Sequence, residues 1–156
     1  MFPVDLSTRA GRMMAAGRVT VTFRSERTGE HITILAKARK KDENDKWSRG
    51  PLDEALVVFF EVPNQEGWND KVGKATRRAG FTPDRLADRA RVFCAERLLD
   101  YVAGRPMPAG LEAFEESRCG CCGRALTDPV SIERGIGPEC YGKQTGSTHE
   151  KKGQAA

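Results

Sequence analysis

The sequence predicts an α+β fold in which a small antiparallel sheet is packed by one main helix and followed by a cysteine-containing knuckle. Three observations lead to this prediction. Apolar residues alternate as in β-strands near the N-terminus, they recur at helical spacing in the middle of the chain, and four of the five cysteines lie within residues 119–140. A chain of 156 residues has room for one compact domain and a small appended module.

The first predicted strands form a β-hairpin. Val19, Val21 and Phe23 alternate with threonines, "SERTGE" supplies turn-forming residues, and "HITILAKA" resumes the alternation. Two strands alone are marginal in water, so we expect the apolar run "ALVVFFEV", residues 55–62, to add a third, buried strand. Residues 39–51 are predicted as an exposed loop, and residues 64–81 as a loop with a short helix.

The main helix is predicted from about Pro83 to Val102. Thr82 can cap it, Pro83 suits its first position, and Gly104 lies just past its end. At 100° per residue its apolar side chains gather into one broad arc, which we expect to pack on the sheet. The members of this arc are Leu86, Ala87, Ala90, Phe93, Cys94, Leu98 and Tyr101.

These elements divide the chain into four parts. Residues 1–17 are assigned to an N-terminal extension, residues 18–110 to the α+β domain, residues 111–145 to the knuckle module, and residues 146–156 to a polar tail that we expect to be disordered.

The composition favours a cytoplasmic protein with no membrane partner. Hydrophobic residues make up 38% of the chain and charged residues 31%, and no apolar run approaches the roughly 20 residues of a membrane-spanning helix. Asp5, Arg9 and Arg12 interrupt the segment where a signal peptide would be apolar. In a reducing compartment, closely spaced cysteines more often bind metal than form disulfides.

The positive charge is concentrated in the middle of the chain. The net charge is +4, and residues 71–97 contain eight basic and three acidic residues. Such a segment attracts polyanions, although a solvated helix face has the same pattern. The predicted nucleic-acid contacts are Lys71, Lys74, Arg77, Arg78, Arg85 and Arg89.

The segment "CGCCGRALTDPVSIERGIGPEC", residues 119–140, has the spacing of a metal site. Cys119 and Cys122 form a C-x₂-C pair, and Gly123 lets the chain bend directly after it. Zinc binds thiolates tetrahedrally at about 2.3 Å, which suits such a knuckle. We therefore predict Zn²⁺ as the cofactor.

Two short helices are predicted between this pair and Cys140. Asp128 or Thr127 caps the first helix and Gly135 ends it, while Pro138 begins the second. Because free amides and the helix dipole favour a thiolate in a first turn, we expect the pKa of Cys140 to be lowered. A knuckle, a loop and a ligand at a helix start form a treble-clef-like zinc site.

A closed structural zinc site takes four ligands, and the spacing provides three: Cys119, Cys122 and Cys140. The fourth position stays open among His31, Asp128, Cys121, His149 and a water molecule. Three thiolates make zinc a poor Lewis acid, and no acid–base partner lies beside them in sequence. We therefore expect a structural ion and no small-molecule substrate.

The run "CGRALTDPVSIERGIGPEC", residues 122–140, resembles an uncharacterised family found mostly in bacteriophages and actinobacteria, whose members end in a zinc knuckle. The stretches "TFRSERTGEHITI" and "VPNQEGWNDKVG" are also similar to those proteins. The resemblance implies a small accessory protein of phage or mobile-element type, working in the cytoplasm of a bacterial host. It implies Cys119, Cys122 and Cys140 as zinc ligands and implies no reaction.

Together these observations predict a non-enzymatic zinc-binding accessory protein that associates with DNA or RNA through residues 71–97. The alternative is a protein-interaction module that binds a host or phage protein complex. The salt dependence of binding distinguishes the two hypotheses, because the affinity for nucleic acid falls steeply as the salt concentration rises. An enzyme would need a cluster of perturbed acids or histidines, and the sequence indicates none.

Overall fold

The computed structural model describes residues 2–64, 66–119 and 121–144. It has a mixed α+β fold, as predicted, and the chain divides into two compact units, Met1–Ala113 (unit 1) and Phe114–Ala156 (unit 2). The boundary falls three residues after the predicted limit of the α+β domain, and the predicted disordered tail, residues 146–156, lies outside the described residues. Within the described part of the chain, no helix combines the length and apolar character needed to cross a membrane.

Unit 1 contains most of the secondary structure. In chain order its elements are α1 (Arg9–Ala15), β1 (Arg18–Ser25), β2 (His31–Lys41), β3 (Trp47–Arg49), a 3₁₀ turn (Leu52–Glu54), β4 (Val57–Pro63), β5 (Asn69–Thr76), β6 (Gly80–Pro83) and α2 (Arg89–Val102). The next strand, β7 (Leu111–Glu115), crosses the boundary between the units. The strands form one sheet in the order β6-β5-β4-β2-β1-β7, and β3 pairs with β2.

The predicted hairpin and third strand are confirmed. β1 and β2 pair antiparallel with Val21 opposite Ile34, and β2 pairs with β4 with Ala36 opposite Phe60. Because side chains alternate between the faces of a sheet, these residues share one face, and Val21, Ile34, Ala36 and Phe60 are at most 1% exposed. This face is the core of unit 1.

The opposite side of the sheet, here called the charged face, carries Arg18 of β1, Lys37 of β2 and Lys74 of β5 in one lateral row. Arg18 pairs with Lys37, Lys37 with Phe59, and Phe59 with Lys74. Lys37 donates a 2.9 Å hydrogen bond to a carboxylate oxygen of Glu61 on the same face. The alternation seen in the sequence thus separates an apolar face from one on which basic side chains lie among apolar residues such as Leu35.

The N-terminal segment, assigned to an extension by the sequence analysis, contributes to the core. α1 begins after Thr8, whose side-chain oxygen accepts the N–H of Gly11. Ala10 and Met14 of this helix are buried in the cluster that fills unit 1. The helical spacing of these two residues explains the contact, since residues four apart lie on one helix face.

Residues 64–81, predicted as a loop with a short helix, instead form β5 and the start of β6. Gly73 belongs to β5 for a packing reason: a Cβ there would lie 2.6 Å from the Thr82 carbonyl oxygen and 2.7 Å from the ring of Phe81, which makes an edge-on contact with Phe60. Glycine is normally unfavourable in a strand, and here it makes room for an aromatic pair. Residues 39–51, predicted as a loop, also contain the end of β2 and all of β3.

The main helix begins later than predicted. Pro83 ends β6, where it pairs with Gly73, and Asp84 donates its N–H to the Val72 carbonyl oxygen at 2.8 Å. The helix instead starts after Asp88, whose carboxylate accepts the Arg91 N–H at 2.8 Å. The predicted cap at Thr82 is therefore wrong, because pairing with β5 keeps residues 80–83 in a strand.

The later start changes which predicted arc residues are buried. Cys94 and Leu98 lie in the core as expected, while Leu86, Ala90 and Phe93 are exposed. Burial raises the pKa of the Cys94 thiol to about 11, with a further contribution from the negative charge of Asp88. Cys94 therefore behaves as a core residue, as its position in the predicted arc indicated.

Two leucines of the predicted arc provide a test of the packing. Leu98 is fully buried and Leu86 is 90% exposed. Leu98→Ala should lower the free energy of unfolding by about 2–5 kcal/mol, because it leaves a cavity. Leu86→Ala, the matched control, should change it by less than about 0.5 kcal/mol. Urea denaturation followed by circular dichroism measures both, and equal losses would contradict the structure.

The ion pair between Lys37 and Glu61 provides a second test. Burial raises the pKa of Glu61, but hydrogen bonds from Lys37 and Asn69 and the charges of Lys37 and Arg39 outweigh it, so the pKa lies below its ordinary value of 4.5. A carboxyl group whose pKa is lowered by folding stabilises the folded state above its unfolded pKa and loses this contribution as pH falls through the folded value.

Glu61→Gln should therefore lower the free energy of unfolding at pH 7. The difference from the wild-type protein should narrow as the pH falls below about 4.5 and through the lower folded-state pKa. Urea titrations between pH 3 and pH 7 measure this difference. If the difference in free energy of unfolding between Glu61→Gln and the wild-type protein stays constant from pH 3 to pH 7, the ionised carboxylate has no stabilising role.

Candidate metal centre

Three segments of unit 2 bring three cysteines together. The first is a small antiparallel ribbon of β8 (Ser117–Arg118) and β9 (Ala125–Leu126). Cys119 directly follows β8, and two backbone hydrogen bonds close the turn that contains Cys122. Cys119 donates its N–H to the Arg124 carbonyl at 2.8 Å, and the Cys119 carbonyl accepts the N–H of Gly123 at 2.9 Å. This is the tight knuckle that the C-x₂-C spacing predicted.

Two short helices carry the chain from the ribbon to the third cysteine. In α3 (Pro129–Arg134) the Asp128 carboxylate accepts the Ser131 N–H at 3.1 Å, and Gly135 ends the helix with a left-handed φ of 74°. In α4 (Pro138–Gln144) Pro138 begins the helix, so Cys140 lies in its first turn. The predicted capping by Asp128 and the predicted helix ends at Gly135 and Pro138 are confirmed.

The three sulfur atoms form a compact group. The Sγ atoms of Cys119, Cys122 and Cys140 all lie within 4.8 Å of one another. Cys119 and Cys140 are 3% and 9% exposed, whereas Cys122 is exposed. In a tetrahedral zinc site with bonds of about 2.3 Å, the sulfurs are about 3.8 Å apart. The spacing and chemistry of these donors therefore suit a sulfur-binding metal ion.

Hydrogen bonding at the sulfurs makes one thiol acidic. The Gly137 N–H donates to Cys119 Sγ at 3.2 Å, and this bond, with another from the Cys122 N–H, lowers the pKa of Cys119 to about 6. Backbone donors stabilise the thiolate because they supply positive charge at the sulfur. Cys119 is thus poised to bind a metal ion as a thiolate.

The expected low pKa of Cys140 is wrong for the metal-free protein. Its interaction with the Cys122 thiol, followed by burial, raises the pKa of Cys140 to about 12. Contacts with Cys121 and Cys119, including the negative charge of Cys119, act in the same direction. Hydrogen bonding to the neutral thiol and burial both favour the protonated form, and here they exceed the effect of the helix start.

The candidates for a fourth ligand occupy different surroundings. Among the described residues, the three cysteines are the whole of the compact ligand group. The Asp128 carboxylate caps α3, Cys121 is exposed beside the group, and His31 is an exposed residue of β2 in unit 1. His149 lies outside the described residues.

The apolar core of unit 2 is small. Leu126 is buried with Cys119 and Cys140, and Ile132 and Ile136 pack against them while remaining partly exposed. A cluster of this size buries little apolar surface compared with a conventional domain core. Cys119 and Cys140 belong to this cluster and Cys122 is exposed, so an ion bound by the three sulfurs would lie beside the apolar core of unit 2.

The six basic residues predicted to contact nucleic acid are all exposed. Lys71 and Lys74 lie on the charged face through their pairing with Glu61 and Phe59. The other four lie elsewhere in unit 1: Arg77 and Arg78 are in the turn after β5, and Arg85 and Arg89 are at the start of α2 or just before it. The structure therefore brings two of the six onto the sheet.

The sheet also collects basic residues outside the predicted segment. Arg18, Lys37, Arg39 and Arg49 line one depression in unit 1. The sequence signal was the alternation of Lys37, Arg39 and Lys41 along β2, which places three cations on one face of a strand. The predicted loop over residues 39–51 hides this pattern, because it ends the strand before Arg39 and Lys41.

Comparisons with known proteins match the C-terminal region. The model of a family of unknown function (DUF6011) matches residues 109–145, a stretch that contains the three clustered cysteines. No curated protein and no solved structure matches the chain. Residues 109–145 are therefore similar to a family of unknown function and hold a cysteine cluster that can bind a metal ion.

Proposed function

We propose that the protein is a non-enzymatic zinc-binding accessory protein that associates with nucleic acid through basic residues of unit 1. The observation that carries the zinc part is the group of three sulfurs within 4.8 Å, one of which already accepts a backbone hydrogen bond. Cys119, Cys122 and Cys140 would hold the ion. The resemblance of residues 122–140 to phage and actinobacterial proteins supports a phage or mobile-element type.

The surroundings of the sulfurs support a structural role for the ion. Cys119 lies after β8, Cys122 in the knuckle and Cys140 in α4, so one ion links segments up to 21 residues apart in sequence. Such a link provides stability that a small apolar cluster cannot, as in zinc modules that fold only with metal. Thiolate ligands also donate charge to the ion, which favours a structural over a catalytic centre.

Association with nucleic acid is supported by charge. Residues 71–97 carry five more basic than acidic residues. Lys71 and Lys74 extend the basic row of the charged face, and Arg77, Arg78, Arg85 and Arg89 are exposed in the same unit. Lysine and arginine neutralise backbone phosphates and release counterions, a gain that requires no particular base sequence. DNA and RNA are both candidate partners on this basis.

The zinc proposal is tested with cysteine variants of the full chain. The wild-type protein should contain about one zinc per chain, and Cys140→Ser should lose most of it because a thiolate ligand is removed. Cys121→Ser makes the same chemical change beside the sulfur group and should keep the zinc. Elemental analysis measures the content, and limited proteolysis should cleave unit 2 faster in Cys140→Ser.

Full zinc content in Cys140→Ser would show that the ligand assignment is wrong. Loss of zinc from Cys121→Ser would instead assign the fourth ligand to Cys121. A metal-free wild-type protein whose unit 2 resists protease and is unchanged by a strong chelator would contradict the structural role of the ion.

The nucleic-acid proposal is tested by salt-dependent binding. The affinity for a fluorescein-labelled oligothymidylate should fall steeply as sodium chloride rises from about 50 to 200 mM. Lys71→Gln/Lys74→Gln should reduce the slope of log affinity against log salt by about 1.4, because two phosphate contacts are lost at about 0.7 each. Fluorescence anisotropy measures both quantities.

Arg27→Gln is the control, since Arg27 is exposed in the turn between β1 and β2. Absence of binding at low salt would refute the nucleic-acid proposal. Capture of a protein that remains bound after nuclease treatment and at high salt would favour the alternative of a protein-interaction module.

A further inference from the structure

A depression of about 290 Å³ lies at one end of the charged face. Four basic side chains line it, together with the residues just before β1 and just after β3. The basic residues are Arg18, Lys37, Arg39 and Arg49, and the remaining lining residues are Ala16, Gly17, Gly50 and Pro51. None of the described residues that line the depression is acidic.

The strand register places like charges directly opposite each other in this depression. Arg18 of β1 pairs with Lys37 of β2, and Arg39 of β2 pairs with Arg49 of β3. Like charges at directly opposite positions destabilise a sheet, and here two such pairs are adjacent, because Lys37 and Arg39 are two residues apart on one strand. A bound anion between the pairs would remove this repulsion.

Few carboxylates compensate the four cations. Among the side chains that β1 to β5 direct to the charged face, Glu61 is the one acid, and it pairs with Lys37 at 2.9 Å. Within the described part of the chain, Arg18, Arg39 and Arg49 have no carboxylate within ion-pair distance. Three guanidinium groups are thus available to an anionic ligand.

An aromatic side chain extends this surface. Trp47 lies two residues before Arg49 on β3 and shares its face. Trp47 is 47% exposed. Its indole ring makes an edge-on contact with Phe59, with ring centroids 5.6 Å apart, and Lys41 Nζ lies over the ring, 4.5 Å from its centroid, which leaves the other face to a base. An exposed, positioned aromatic ring beside cations is the arrangement that stacks a base while its phosphates are neutralised.

We propose that the depression and Trp47 form a binding site for a single-stranded nucleic-acid segment. Arg39 and Arg49 bind backbone phosphates, Arg18 and Lys37 contribute positive charge, and Trp47 stacks on one base. This inference rests on the proposed nucleic-acid function and deepens it, because it names the strand state of the partner and a site outside residues 71–97. A duplex presents its bases already stacked and offers none to Trp47.

The site is tested with full-length protein and a fluorescein-labelled 12-nucleotide oligothymidylate. Arg39→Gln/Arg49→Gln should weaken binding at least tenfold at low salt and reduce the slope of log affinity against log salt by about 1.4, since two phosphate contacts are lost. Arg39→Lys/Arg49→Lys keeps both charges and should stay within about threefold of the wild-type affinity. Circular dichroism is used to check that each variant is folded.

Arg27→Gln removes one exposed arginine elsewhere in unit 1 and is the matched control for Arg49→Gln. If Arg27→Gln and Arg49→Gln weaken binding equally, the site is refuted. The proposed function is judged separately, by the result for Lys71→Gln/Lys74→Gln. If the wild-type protein binds no oligonucleotide, the proposed function fails first and the site with it.

The stacking contact has its own readout. Trp68 is 74% exposed, and Trp68→Phe leaves Trp47 as the sole tryptophan. Adding unlabelled oligothymidylate should quench the fluorescence of Trp47 in this variant, and a duplex of the same length should quench it less and bind more weakly. Unchanged fluorescence on saturation, or tighter binding of the duplex, would refute the single-stranded site.

Discussion

The register of the antiparallel sheet is the constraint on which unit 1 depends. Because side chains alternate between the two faces, the pairing of Val21 with Ile34 and of Ala36 with Phe60 also determines where Arg18 and Lys37 lie. A slip of one residue would exchange the two sets and place cations in the core. The apolar packing of one face of the sheet thus keeps the basic side chains on the opposite face. The same strand register therefore underlies both the folding of unit 1 and the proposed binding.

The parts of the fold predicted from sequence were those where pattern and packing agree. The hairpin and β4 had clear alternation or a continuous apolar run, and both formed strands. β5 and β6 were missed because Gly73 and several polar residues weaken the strand pattern, and the glycine is explained by the close approach of the Thr82 carbonyl and the Phe81 ring, which is visible only in the structure. The start of α2 was misplaced because Pro83 fits both a helix start and a strand end, a choice made by pairing with β5.

In the cysteine segment local signals were more informative. Asp128, Gly135 and Pro138 act within one or two turns of their own helices, so neighbouring residues were enough to locate the helix ends. The pKa of Cys140 could not be derived in this way, because it depends on how near Cys122 and Cys119 come in space. The basic depression likewise arises from four residues that meet through strand pairing, and only the alternation along β2 is visible in the sequence.

Gly17 determines how the wall of the depression is made. It has a φ of 114°, and a Cβ at this position would collide with the carbonyl oxygen of Gly50, while the Gly17 carbonyl accepts the N–H of Ala38 at 2.8 Å. The part of the wall at Gly17 and Gly50 therefore consists of main chain in close contact, whereas the four basic side chains supply the charge. Substitutions among these side chains can consequently alter ligand preference while the main chain beneath them keeps its path.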